Sequence, residues 1–143
     1  MFLSSRPVLN PVTGELSFGS IPALRLAGFD YPESPVRLPV GKHVGPNRGF
    51  GIKHIWSEHQ REILREGYVS ETDVPLYVLE MLRPGTPLFF EGQSWRATRL
   101  MAVRSSLGTM IMEFRAQREL AIWAVVTAFS GTKTHGTRVG TVR

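Results

Sequence analysis

A chain of 143 residues, 42% hydrophobic and 20% charged, is long enough for one domain with a real core and is not the composition of a disordered segment. It has no cysteine, which excludes disulfide frameworks, thiolate metal sites and cysteine nucleophiles. A surplus of 17 Lys+Arg over 12 Asp+Glu gives a net charge of +5, which suits a polyanionic partner such as RNA, DNA or anionic lipid but is equally that of a merely basic, soluble surface.

No run approaches the length of a membrane-crossing helix, so no membrane insertion is expected. The N-terminal stretch MFLSSRPVLNP has too little apolar length for a signal peptide. Residues 1–35 read as an irregular lead-in punctuated by Pro7, Pro11, Pro22, Pro32 and Pro35. Residues 36–40 can form an edge strand, because Pro39 removes a ladder donor. From about 52 to 66 the apolar spacing of Ile52, Ile55, Trp56, His59, Ile63 and Leu64 predicts a helix that Gly67 ends. Ser70 followed by Asp73 is a capping-box-like start for a second helix over 71–82, with Val74, Val78, Leu79 and Leu82 inward. Pro75 falls in the first turn, where it is tolerated, and Arg83-Pro84-Gly85 stops the helix.

The remainder reads as strands at 87–91, 94–104, 109–115 and 120–129, with turns at Gly92-Gln93, 105–108 and Gln117-Arg118. The last strand is apolar on both faces and is placed centrally. Residues 131–143 read as a basic, mobile tail. The fold class expected is α+β: two N-terminal helices packed on one face of a four-stranded antiparallel β-meander, with residues 36–130 as the domain.

Histidine is the side chain most ready to move protons near neutral pH, and two of four lie in the helix after Gly49-Phe50-Gly51. Five residues along a regular helix turn His59 roughly 140° away from His54, so a shared metal is not expected. His59 lies on the apolar stripe and is either a core histidine or a supporting acid or base. His54 lies off it, beside Lys53, Ser57, Arg61 and Arg65, and is either a solvated residue or a general acid or base next to cations that hold a phosphate. Arg96, Arg99, Arg104 and Arg115 are distributed along the strands, with Arg118 in a turn, among Trp95 and Trp123. Arginine with aromatic neighbours suits single-stranded RNA, while the competing reading puts the tryptophans in the core and the arginines on a solvated face. Thr127 interrupts an apolar run and either bonds its own backbone or contacts a phosphate, a theme that Ser130, Thr132 and Lys133 extend. There is no P-loop, nucleophile elbow or zinc-finger spacing.

These residues resemble the BECR (barnase–EndoU–colicin–RelE) nuclease superfamily, in particular its phage-associated and polymorphic-toxin branches. The likeness covers 36–130 and lies in a glycine-rich lead-in, the helix motif His54-Ile55-Trp56-Ser57-Glu58-His59 and a last strand ending Trp123-Ala124-Val125-Val126-Thr127. Glu58 stands where those members usually carry a basic residue. The resemblance implies a metal-independent endoribonuclease without cofactors, with tRNA the favoured substrate and an acidic immunity or antitoxin protein as a possible partner. It implies His54 and His59 as general base and acid, with Thr127 positioning the phosphate. Charge and strand position add Arg99, Arg104 and Arg115 as an electrostatic clamp, and Lys53, Ser130 and Lys133 as substrate contacts. Two other readings stay open: a non-catalytic nucleic-acid-binding or phage-structural module, and a histidine-dependent DNase.

Overall fold

The computed structural model describes residues 5–26, 28–93, 99–117, 120–131 and 136–143, with the side chains of 91–93, 99 and 117 outside the description. The described residues are mostly β, 45% strand against 22% helix, and among them the main sheet has seven strands of mixed direction. This corrects the expected pair of N-terminal helices on a four-stranded meander. Six short strands precede the first helix: β1 (Ser20–Ile21), β2 (Leu24–Leu26), β3 (Phe29–Tyr31), β4 (Ser34–Arg37), β5 (Lys42–Gly45) and β6 (Arg48–Phe50). Then come α1 (Gly51–Arg65), a 3-10 turn (Glu71–Asp73), α2 (Val74–Met81), β7 (Pro87–Gln93), β8 (Arg99–Ser105), β9 (Gly108–Gln117), β10 (Leu120–Phe129) and β11 (Thr137–Thr141).

The sheet runs β1-β4-β10-β9-β8-β7-β11, with β2–β3 and β5–β6 as separate hairpins. β4 is not an edge strand. It lies parallel to β10, Trp123 opposite Val36, and antiparallel to β1. Strands this short carry too few alternations for periodicity to register, and prolines at their margins make them look irregular. The turn expected at Gly92-Gln93 is instead the end of β7, paired with Leu100 and Arg99. Trp95, Arg96 and Arg118 lie outside the described residues.

α1 presents Ile52, Ile55 and Ile63 to the core; α2 adds Val74, Tyr77, Val78 and Met81. Asp73 accepts the Val69 N–H at 2.8 Å and the Ser70 N–H at 3.4 Å, so the expected cap forms, but it opens a 3-10 turn before α2. Trp123 is fully buried, its ring 5.2 Å from Phe114 and 5.5 Å from Tyr31, which settles it as a core residue.

The segments read as lead-in and tail are part of the same core: Phe18, Ile21, Tyr31 and Val142 pack with Trp123 and Met101. β11 pairs antiparallel with β7, and Val142 exchanges backbone hydrogen bonds with Gly85 and Thr86. Burying one valine is worth about 1.5–3 kcal/mol, apart from the ladder it anchors. A chain ending at Gly131 is therefore expected to unfold at a clearly lower urea concentration than the full chain. An unchanged midpoint would show that β11 contributes nothing.

Candidate active site

Three elements converge beside the end of β10. The first is the β5–β6 hairpin, which lies against the start of α1. Its turn holds Asn47 at φ 57°, and Glu58 Oε1 on α1 accepts the Asn47 N–H at 3.2 Å. Gly49 lets the hairpin close on the helix. Its φ is 137°, and a Cβ there would lie 2.3 Å from the Lys42 carbonyl oxygen and 2.9 Å from His54 Nδ1. No side chain fits between the two.

The second element is α1, which breaks at His59 (φ −125°, ψ 20°). Neither proline nor glycine stands at the break. It coincides with the His59 ring turning onto Glu62, whose Oε2 lies 2.6 Å from His59 Nδ1, and onto Phe129, 5.8 Å between centroids. The divergence expected for a five-residue spacing holds only in an unbroken helix. Here the His54 and His59 rings meet edge to face, 6.3 Å between centroids. His43, from β5, completes the group: its ring stacks on His54 at 5.4 Å, with the two Nδ1 atoms 3.2 Å apart. One of these nitrogens must carry the proton shared between them.

The third element is a bulge in β10. Val125 pairs with Met112 and Thr127 with Ile111, which leaves Val126 unpaired. Strict alternation would send Thr127 into the core after Trp123 and Val125. The extra residue passes that place to Ala128, and Thr127 lines the cleft instead, its Oγ1 without a hydrogen-bond partner among the described residues. Bulges re-aim side chains in this way next to sites. His54, His59, Glu62, Thr127 and Phe129 surround a cleft of about 380 Å³.

Burial pushes the His54 imidazole below its ordinary value; Glu58 opposes this, and the nearby His43 and His59 reinforce it. A neutral ring is therefore the resting form. Burial alone would raise Glu62, but hydrogen bonds from the Ser130 side chain and main chain and from His59 outweigh it, and its carboxyl lies below the ordinary range. Among the described residues, no group of three or more His, Asp or Glu is arranged to hold a metal ion.

Of the residues singled out from the sequence, His54, His59 and Thr127 come together. Ser130 reaches the site through its backbone N–H, which Glu62 Oε1 accepts at 2.5 Å. Lys53 is ion-paired with Glu71 at 2.8 Å and does not line the cleft. Arg104 lines a separate depression with Glu80 and Arg83. Arg115 lies opposite Ile122, well back along β10 from Thr127; it donates to Glu113 at 3.0 Å and sits over the Phe50 ring. Strand parity does not reveal which end of a strand meets a helix, so neither arginine joins the clamp expected of it. The Arg99 side chain, Thr132 and Lys133 lie outside the described residues. His43 and Glu62 are the residues that sequence reasoning missed. Glu62 had a signal, its i+3 spacing from His59 on a helix; His43 had none, between the expected edge strand at 36–40 and the first helix, where no element is predicted.

No family model, characterised protein or solved structure matches this chain.

Two outcomes follow from the geometry. Gly49→Ala should destabilise the chain by about 1–3 kcal/mol, since an L side chain at that φ is strained even before the overlap with His54; an unchanged urea midpoint would contradict the close approach. The second concerns pH. Because folding lowers His54 below 6.5, the unfolded chain binds more protons there, and stability present above that value is lost as pH falls through it. Wild type should therefore lose more stability between pH 7 and 5 than His54→Asn; parallel losses in urea titrations would contradict this.

Proposed function

We propose that this chain is a metal-independent endoribonuclease that cleaves RNA by attack of a ribose 2′-hydroxyl on the adjacent phosphate. The observation that carries the reading is the convergence of His54 and His59 on one cleft, each with its Nδ1 engaged by a neighbour. Engagement of Nδ1 leaves each Nε2 available for proton transfer. Net positive charge favours a polyanionic substrate. The likeness of the His54–His59 motif to BECR nucleases supports RNA, with tRNA the favoured class.

With the shared proton on His54 Nδ1 and donated to His43, His54 Nε2 carries a lone pair. As the neutral ring it takes the 2′-hydroxyl proton, and the 2′-oxygen bonds to phosphorus. The bond from phosphorus to the 5′-oxygen breaks, and that oxygen takes a proton from His59 Nε2. Glu62 holds the His59 ring through Nδ1–H and offsets its charge when both nitrogens are protonated. The Thr127 hydroxyl, without a partner among the described residues, donates to a phosphate oxygen. The products are a 2′,3′-cyclic phosphate and a 5′-hydroxyl. His43 acts through His54 and is a positioning residue.

Purified protein incubated with total tRNA in EDTA is expected to give fragments ending in cyclic phosphate, while DNA of the same sequence stays intact. His54→Ala and His59→Ala should each lower the rate by roughly 10²–10⁴-fold, the usual weight of general acid–base catalysis. The acidic limb of kcat/KM should lie below pH 6.5, because burial keeps His54 neutral there. Full activity in the His54→Ala, His59→Ala double variant would overturn the reading.

A further inference from the structure

A second groove, of about 590 Å³, adjoins the histidine cleft and shares Glu62 as its wall. Its charged lining is Glu58, Arg61, Glu62 and Arg65. The two acids are occupied: Glu58 accepts the Asn47 N–H, and Glu62 holds both His59 and Ser130. The two arginines are exposed, and among the described residues neither is ion-paired. The groove therefore offers two uncommitted guanidinium groups beside carboxylates that are already engaged.

Arg61 and Arg65 are four residues apart and both follow the break at His59, so they stand on one face of the same helical segment. Their separation along the axis is about 6 Å, comparable to the step between consecutive phosphates of an extended strand. A guanidinium fork suits a phosphate oxygen pair.

We infer that the Arg61–Arg65 groove is a subsite for the backbone phosphates of single-stranded RNA flanking the bond held at His54 and His59. This rests on the proposed ribonuclease reading and adds to it: the recognised substrate is a strand extending beyond the scissile linkage, tracked along the second half of α1. Contacts of this kind supply affinity and register without reading sequence.

The test uses binding alone. A fluorescent ten-nucleotide RNA, fully 2′-O-methylated, has no free 2′-hydroxyl and cannot be cleaved by the proposed route. Its affinity for the full chain is measured by anisotropy across a salt series, for wild type, Arg61→Gln/Arg65→Gln and Arg61→Lys/Arg65→Lys. The glutamine pair should weaken binding roughly tenfold or more at low salt and make the log–log salt slope shallower by about 1.4, the share of two phosphate contacts on a single strand. The lysine pair should keep most of the slope, which a role in packing alone would not predict. Equal affinity and slope in wild type and the glutamine pair overturn the inference. Displacement of the RNA by polyglutamate as readily as by unlabelled RNA also overturns it, and assigns the groove to an acidic protein. Wild type is also incubated with natural RNA so that the two readings separate: a wild-type chain that binds in this manner yet never cleaves natural RNA upholds the subsite and rejects the ribonuclease.

Discussion

Glu62 joins the second half of α1 to the end of β10. One carboxylate oxygen faces His59 Nδ1 at 2.6 Å and the other accepts the Ser130 N–H just past the strand. Hydrogen bonds to a charged group are worth about 1.5–3 kcal/mol each, more than ordinary neutral ones. They keep Glu62 ionised despite its burial. Both oxygens are engaged, and the break in the helix falls at His59, the residue whose ring turns onto this carboxylate. The break, the His59 ring and the end of the strand meet at one carboxylate.

The other wall of the cleft is set by the absence of a side chain. Gly49 allows the β5–β6 hairpin to close onto α1 until the Lys42 carbonyl and His54 Nδ1 leave no room for a Cβ. That approach buries His54 and lays the exposed His43 ring over it. Desolvation then favours the neutral imidazole, the form able to take a proton. The bulge at Val126 supplies the third component by turning Thr127 out of the core. Three local irregularities, a hairpin glycine, a helix break and a strand bulge, thus converge on one place. Functional sites are where local rules are commonly broken in this way.

The long periodic elements were legible. Apolar spacing from Ile52 to Leu64 and the stop at Gly67 place α1 within a residue of Gly51–Arg65, and β10 matches its expected span at both ends. The fold class was not legible, because β1, β2, β3 and β4 are two to four residues long and β4 joins β10 by a parallel pairing distant in sequence. The motif singles out two histidines and Thr127, which lie at one cleft; the rings do not diverge as a regular helix would require, since α1 breaks at His59. His43 reaches the site only through the hairpin closure. The arginines on the strands were assigned by charge, and Arg104 and Arg115 lie elsewhere because position along a strand is a tertiary property.

His54 stands between two other imidazoles, stacked on His43 and edge to face with His59 at the cleft. The most direct test of this arrangement is nuclear magnetic resonance of the ring nitrogens, titrated from pH 8 to 5 in wild type and in His43→Asn. His54 is expected to titrate below 6.5, His59 to hold its Nδ1 toward Glu62, and the His54 titration to shift when His43 is replaced. A His54 that titrates at its ordinary value and ignores the His43 substitution would contradict it.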